Sequence, residues 1–320
     1  MVRYIIKRIL WMIAILLIIL TIVYFVTSLV QMNNFIRPKI PFPENFKIVA
    51  NDYSEYFKKI IFEWDWGVSE LSDSPEKGIP VWDLLKQRAP VTLRINIATL
   101  IGFTIIGCVL GFIQAIKKGT LTDNAIGIFT LIFGSIPAIF LIFPLILILG
   151  YQWDLLPTQY PDDSDPMKLQ LIGLIIPFLA LAGYPLATIA RITRGEIVDS
   201  LDSEYILLAR TKGLSRKQAV YRHSLRNSLV SIMPHIPSLF LATMMASILM
   251  ESVYGIPGVA TWYLDSMYRP MMDTGYYSIV VPNAVIITMF YVTLGLVMTL
   301  IVDLLYGLVD PRIKIYSHKK

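Results

Sequence analysis

The chain lacks most of what a soluble enzyme needs. Only 16% of its 320 residues are charged, where a soluble domain carries roughly 25%. Its single cysteine, Cys108, excludes an internal disulfide and any cluster of thiolate ligands. Set in an apolar run, Cys108 reads as a small packed hydrophobe. The three histidines, His223, His235 and His318, do not stand at metal-ligand spacing. Neither H-E-x-x-H nor G-x-S-x-G occurs, and there is no G-x-x-x-x-G-K-[ST] loop to cradle the phosphates of ATP. His235 has no nucleophile or carboxylate beside it and reads as an interfacial side chain. The expectation is a chain with no catalytic residues, no bound metal and no cofactor. Charge within the apolar runs is also scarce. Arg94, Glu251 and Asp303 all fall near run ends, so no proton relay of the kind an ion-coupled carrier uses is visible.

What is abundant is apolar sequence, 55% of the residues, with a mean hydropathy of +0.62. It is gathered into long runs, and a membrane-spanning helix needs about 20 apolar residues. Six spans are expected: about Ile9–Val30, Thr92–Ile116, Ala125–Gly150, Leu169–Ala190, Leu229–Val253 and Ile279–Val302. The first follows Arg3, Lys7 and Arg8. It is too long for a signal-peptide core and has no small-residue cleavage site after it, so it reads as an uncleaved span. Pro137 and Pro144 in the third span, and Pro177 and Pro185 in the fourth, predict kinked helices packed inside a bundle. Most of the 28 Lys and Arg residues fall in the N-terminal tail, at Lys117–Lys118, in residues 191–227 and in the C-terminal tail. That asymmetry predicts cytoplasmic N and C termini. The net charge of +5 is a matter of topology, not of nucleic-acid binding. The expected layout is a tail and first span (1–30), an outer loop (31–91), a core of five spans (92–312) and a cytoplasmic tail (313–320).

Two loops are too long to be simple connectors. The outer one, residues 31–91, mixes charge with Phe62, Trp64, Trp66 and Trp82, and short amphipathic helices on the outer face are expected there. The inner one, residues 191–227, reads as a short helix through Leu207, Leu208 and Ala209, a stop at Gly213 with positive φ, and a second helix capped by Ser215. A protein with several spans, no energy-coupling residues and one elaborate inner loop draws its energy from another subunit.

That inner loop carries Tyr205, Ala209, Arg210, Lys212, Gly213, Leu214, Ser215, Arg222, His223, Leu225, Arg226 and Asn227. The spacing resembles the cytoplasmic signature of inner-membrane permeases of ABC importers, in the variant typical of the oligopeptide/dipeptide/nickel branch. The general family's glutamate and final proline are replaced by Leu207 and Arg226. Further segments fit the same branch: Asp65-Trp-Gly67-Val-Ser69, Pro80-Val81, Arg88-Ala-Pro90-Val-Thr92-Leu93, Ser135-Ile-Pro137-Ala-Ile-Phe140, Glu251 to Gly258, Asp303 to Tyr306 and Asp310-Pro311-Arg312. The branch's turn before Asp65 opens with glycine; Trp64 stands there in this chain. A P-G-D-P-like motif after the first span is replaced by Gln31 to Asn34 and a proline-rich stretch. The likeness runs from about residue 60 to the C-terminus and is closest to the B-type subunit.

The resemblance implies an all-α, polytopic protein of the bacterial plasma membrane with six transmembrane helices, the type I ABC importer permease fold. It implies a heterodimer with a second, homologous permease, two cytoplasmic ATP-binding subunits, an extracellular peptide-binding protein, and oligopeptides or dipeptides as substrate. Glu204, Tyr205, Ala209, Arg210, Lys212, Gly213, Leu214, Ser215 and His223 are then the residues expected to dock on an ATPase and to couple hydrolysis to transport. Beside it stand a plain basic connector touching lipid head groups, a nickel or metal-chelate importer of the same branch, a secondary carrier and a membrane-bound enzyme. Nickel would want soft or imidazole ligands at the pore; the adjacent pairs Met244–Met245 and Met271–Met272 read as packing. From helical spacing alone, Thr243, Ser247 and Glu251 share one face of the fifth span. That face lines the translocation path or packs against a neighbouring helix.

Overall fold

The computed structural model describes residues 2–35, 41, 43–70, 76–162, 164–201, 203, 211, 213, 218, 230–267, 269–270 and 277–309. Eleven α-helices are named among them: α1 (Val2–Phe35), α2 (Glu44–Glu63), α3 (Val81–Ile116), α4 (Leu121–Ser135), α5 (Ala138–Leu145), α6 (Met167–Gly173), α7 (Ile175–Leu181), α8 (Gly183–Leu201), α9 (Ile236–Tyr254), α10 (Val259–Met267) and α11 (Val281–Val309). A two-residue antiparallel pair, β1 (Arg269–Pro270) with β2 (Tyr277–Ser278), lies before α11; neither it nor α10 was expected from sequence.

Four helical stretches are long and apolar enough to cross a bilayer: Tyr4–Met32, Val81–Ile116, Val230–Tyr254 and Val281–Leu305. Two bent pairs bring the number to six if each pair is one span: α4 with the helix that follows it to Gln152, bent by 102°, and residues 167–181 with α8, bent by 56°. The six expected spans thus find their helices, but the third and fourth are broken rather than kinked. At the first break Pro137 forces Ile136 out of the helical region, to φ −84° and ψ 119°. Pro144 stays inside α5, and a π-helical turn, Ile146–Gln152, follows it. The second break comes at Ala182–Gly183, between Pro177 and Pro185 and at neither.

The chain divides into two compact units, residues 1–93 with 255–297, and residues 94–254 with 298–320. In the first, α2 packs on α1 through aromatic rings: Tyr24 stacks on Tyr56 with centroids 4.9 Å apart, and Phe25 meets Phe46 at 5.3 Å. Much of the rest of α1 is exposed and apolar, with Leu10, Trp11, Ile18 and Ile22 each more than half exposed. The amphipathic helix expected in the outer loop is α2. Burial pushes the Tyr56 phenol well above its usual pKa, and its hydroxyl donates to the Trp66 carbonyl at 3.1 Å.

The second unit is organised around α8. Phe103, Ala182 and Leu186 form a buried cluster with Phe133 and Phe178 against it, and Ala115 with Ile197 forms another. Glycines set the spacing. A Cβ on Gly111 would stand 2.5 Å from the Ala190 carbonyl and 2.7 Å from Thr193 Cβ, and one on Gly107 2.9 Å from Ile189. Gly107-x-x-x-Gly111 therefore lets α3 approach α8 backbone to side chain, as small residues do between membrane helices. On another side of α8, a Cβ on Gly134 would collide with Ala187, and one on Gly183 with the Phe133 carbonyl. Cys108 packs in the seam between α3 and α8, accepting from the Thr193 hydroxyl at 3.8 Å.

Candidate functional site

The motif segments of the first unit lie far apart in sequence and meet in one place. Gly67 has φ +86°, and its N–H donates to Asp65 Oδ1 at 2.8 Å. A Cβ there would press on Pro282, 3.1 Å away, at the start of α11, so glycine is needed for conformation and for contact. Val68 bridges Pro80, and the Val81 N–H donates to the Gly67 carbonyl at 3.0 Å. Behind this turn the buried Asn283 amide donates to Ser69 Oγ (3.2 Å) and Ser266 Oγ (3.0 Å). Arg88 pairs with Glu76 and reaches the Gly258 carbonyl at 3.3 Å. The next N–H, on Val259, donates to Thr92 Oγ1 at 2.9 Å. These motif residues build a buried polar brace around the ends of α3, α10 and α11.

Trp64 caps α2 with φ +55° and ψ +29°. That left-handed conformation favours glycine, the residue the branch's motif has there. Its ring meets Trp66 and Trp82 edge-on, with centroids 5.7 and 5.2 Å apart.

Of the residues expected to couple to an ATPase, Gly213 is described; it has φ +88° and nothing within 4 Å of a Cβ built on it. Glu204, Tyr205, Ala209, Arg210, Lys212, Leu214, Ser215 and His223 lie outside the described residues. The described helix α8 ends at Leu201, and continuous description resumes at Val230, ahead of α9.

The polar face of the fifth span is placed unambiguously. Thr243, Ser247 and Glu251 are 2%, 0% and 0% exposed. Ser247 Oγ accepts from Asn96 Nδ2 of α3 at 3.2 Å and donates to the Met244 carbonyl; Thr243 donates to the Phe240 carbonyl. The three do share a face, and it turns inward, while Met245, Leu249 and Val253 form the exposed stripe. Met244 is buried and Met245 is 56% exposed, so the two sulfurs do not converge on one site.

Thr243 also borders an open cavity of about 370 Å³, where the breaks after α4 and α7 face α9. Its wall includes Ser135 and Pro137 from the expected third-span motif, Tyr184 and Pro185 beside the second break, and Ala242 and Ala246 of α9. Ser247 and Glu251 do not line it. The cavity walls were hidden in the sequence because they combine three segments about 50 residues apart. The proline and glycine punctuation at 137 and 183 was the available signal.

Residues 107–315 match the family model for a binding-protein-dependent transport system inner membrane component. Among curated proteins, the dipeptide transport system permease protein DppB of Lactococcus lactis subsp. cremoris (strain MG1363) is 30% identical, over 98% of this chain and 100% of that protein. DppB of Bacillus subtilis (strain 168) is 30% identical over the whole of both chains. The oligopeptide transport system permease protein OppB of Salmonella typhimurium is 28% identical over 98% and 100%. Among solved structures, an inward-facing MetNI methionine ABC transporter matches with a TM-score of 0.55 at 17% identity, covering 72% of this chain and 99% of that one, a likeness of fold. With its apolar helices and its broken third and fourth spans, the chain belongs to the binding-protein-dependent transport inner-membrane components, multi-pass permeases of ABC importers in the plasma membrane.

Proposed function

We propose that this chain is a channel-forming subunit of an ATP-driven importer of dipeptides or short oligopeptides. The observation that carries the reading is the end-to-end alignment, at 30% identity, with permeases named for dipeptide transport. Those names set peptide above the nickel reading. The chain pairs with a second, similar permease, receives substrate from an extracellular binding protein, and leaves ATP hydrolysis to two cytoplasmic subunits. Both termini and residues 191–227 face the cytoplasm, in keeping with the placement of Lys and Arg. The short helix ending at Gly213 docks on an ATPase, and Glu204, Tyr205, Ala209, Arg210, Lys212, Leu214, Ser215 and His223 surround that contact. Thr243, with Ser135 and Tyr184, borders the translocation path at the cavity. Ser247 and Glu251 lie behind it and hold α9 against its neighbours.

The test is uptake of radiolabelled dialanine by the whole importer, purified with its accompanying subunits and reconstituted with its binding protein. Saturable, ATP-dependent uptake that unlabelled dipeptides suppress is expected. Absence of dialanine uptake, with ATP-dependent uptake of a labelled nickel–histidine chelate in its place, would overturn the peptide assignment.

A further inference from the structure

At the end of the second unit that leads into residues 202–229, one ion pair joins three elements. Asp123, in the first turn of α4, is almost fully buried. Its two carboxylate oxygens accept from Arg194 of α8 in a fork, Nε to Oδ1 at 2.8 Å and Nη2 to Oδ2 at 2.8 Å. Oδ2 also accepts from the Gly119 N–H at 3.1 Å, in the turn between α3 and α4. The Gln114 amide of α3 donates to the Asp123 carbonyl at 3.2 Å. Bidentate arginine–carboxylate pairs fix orientation as well as distance, and the Gly119 N–H on Oδ2 with the Gln114 amide 3.4 Å from Oδ1 further restrict this carboxylate.

The same two helices touch again at their other ends. Gly134 meets Ala187, and Gly183 meets the Phe133 backbone, too closely for any Cβ. Asp123 to Gly134 on α4 and Arg194 to Gly183 on α8 both span 11 residues, so the pair runs antiparallel, fastened at each end. Beyond the glycine contact both helices break, and both breaks wall the cavity bordered by Thr243.

We propose that the Asp123–Arg194 pair is a positioning clamp that makes α4 and α8 one rigid strut, carrying displacement of the segment after α8 to the cavity wall at Pro137 and Tyr184. The inference rests on the reading that residues 202–229 receive the ATPase stroke. Without the clamp, α8 follows the stroke and α4 does not. Packed elements transmit motion only when they move as one body.

The experiment compares Asp123→Asn, Arg194→Gln and the exchanged pair Asp123→Arg with Arg194→Asp, each in the whole importer in proteoliposomes. Three quantities are read: ATPase subunits recovered with the permease, ATP hydrolysed, and labelled dialanine taken up. Both single variants should retain their ATPase complement and hydrolyse ATP, while dialanine taken up per ATP falls severalfold. The exchanged pair should regain part of that ratio. Either an unchanged ratio in the single variants, or loss of ATPase complement and uptake together with no recovery in the exchanged pair, overturns the clamp. Gly213→Val, run alongside, separates the two readings. If it leaves docking and uptake intact while Asp123→Asn uncouples, Gly213 has no part in docking and the clamp stands. If it abolishes docking while Asp123→Asn transports at the normal ratio, the clamp fails and docking stands.

Discussion

Trp64 pits two terms of similar size against each other. A non-glycine residue in the left-handed region costs about 1–2 kcal/mol, and its φ is +55°. Two edge-on ring contacts, to Trp66 and Trp82, return about 0.5–1.5 kcal/mol each. Removing the ring while keeping a Cβ loses the return and keeps the cost. Trp64→Ala should therefore lower the apparent Tm in detergent further than Trp64→Gly, by a difference of about 1 kcal/mol in stability. The reverse order would mean that the backbone at this cap is not under strain. A second contrast lies in the glycines of α3 and α8. A methyl on Gly111 would strike the Ala190 carbonyl, a backbone atom that cannot step aside, whereas Gly195 on α8 has open space around its Cβ position. Gly111→Ala should cut the yield and thermal stability of the folded chain. Gly195→Ala should be neutral or should stabilise by up to about 1 kcal/mol from helix propensity. Equal effects at both sites, read from fluorescence size-exclusion profiles after heating, would remove the case for a glycine seam.

At the scale of elements, what could be read from the chain depended on whether the cause was local. The apolar runs appear as helices because a backbone in hydrocarbon must satisfy its own hydrogen bonds, and run length is written in consecutive residues. The break at Pro137 is also local, since proline restricts the residue before it. The break at Gly183 is not: it answers to the close approach of Phe133, some 50 residues away. The pair Gly107-x-x-x-Gly111 has the spacing of a small-residue seam, but the apolar residues around it give no sign of which helix it meets. Helix α3 begins at Val81, eleven residues before the apolar run expected at Thr92, because Asp83, Lys86 and Arg88 keep hydropathy low without breaking the helix. On the inward face of α9, Ser247 meets Asn96 of α3; periodicity finds a face and cannot say what it meets. That hydrogen bond is worth about 0.6–2 kcal/mol between membrane helices. Asn96→Leu should accordingly lower thermal stability by a similar amount, and Ser247→Ala should do the same. Additive losses in the double variant would show that the two side chains do not interact.

At the scale of the whole molecule, the basic residues make two separable claims, one about topology and one about coupling. If the N-terminus is inside, Lys212 is cytoplasmic, and an impermeant amine reagent applied to intact cells should label the outer loop at Lys58 and Lys59 but spare Lys212. Labelling of Lys212 from outside would invert the assigned topology. The coupling claim is sharper because it rests on backbone geometry. Gly213 holds φ +88° with no neighbour within 4 Å of a Cβ position. A side chain there thus meets no clash, and its cost is conformational, about 1–2 kcal/mol and larger for a β-branched residue. Gly213→Val should leave insertion and permease pairing intact, because the strain is confined to an exposed turn outside the packed helices. It should instead misdirect the chain entering the proposed docking segment, and ATPase recovery on the affinity-purified complex should fall together with dialanine uptake. Ala209→Glu, four residues earlier in the sequence, should act alike by adding bulk and charge to the proposed docking segment. Lys319→Ala and Lys320→Ala, which remove charge outside the signature segment, should do neither. Normal uptake with a full complement of ATPase in both loop variants would reduce the segment to a basic connector and end the docking assignment.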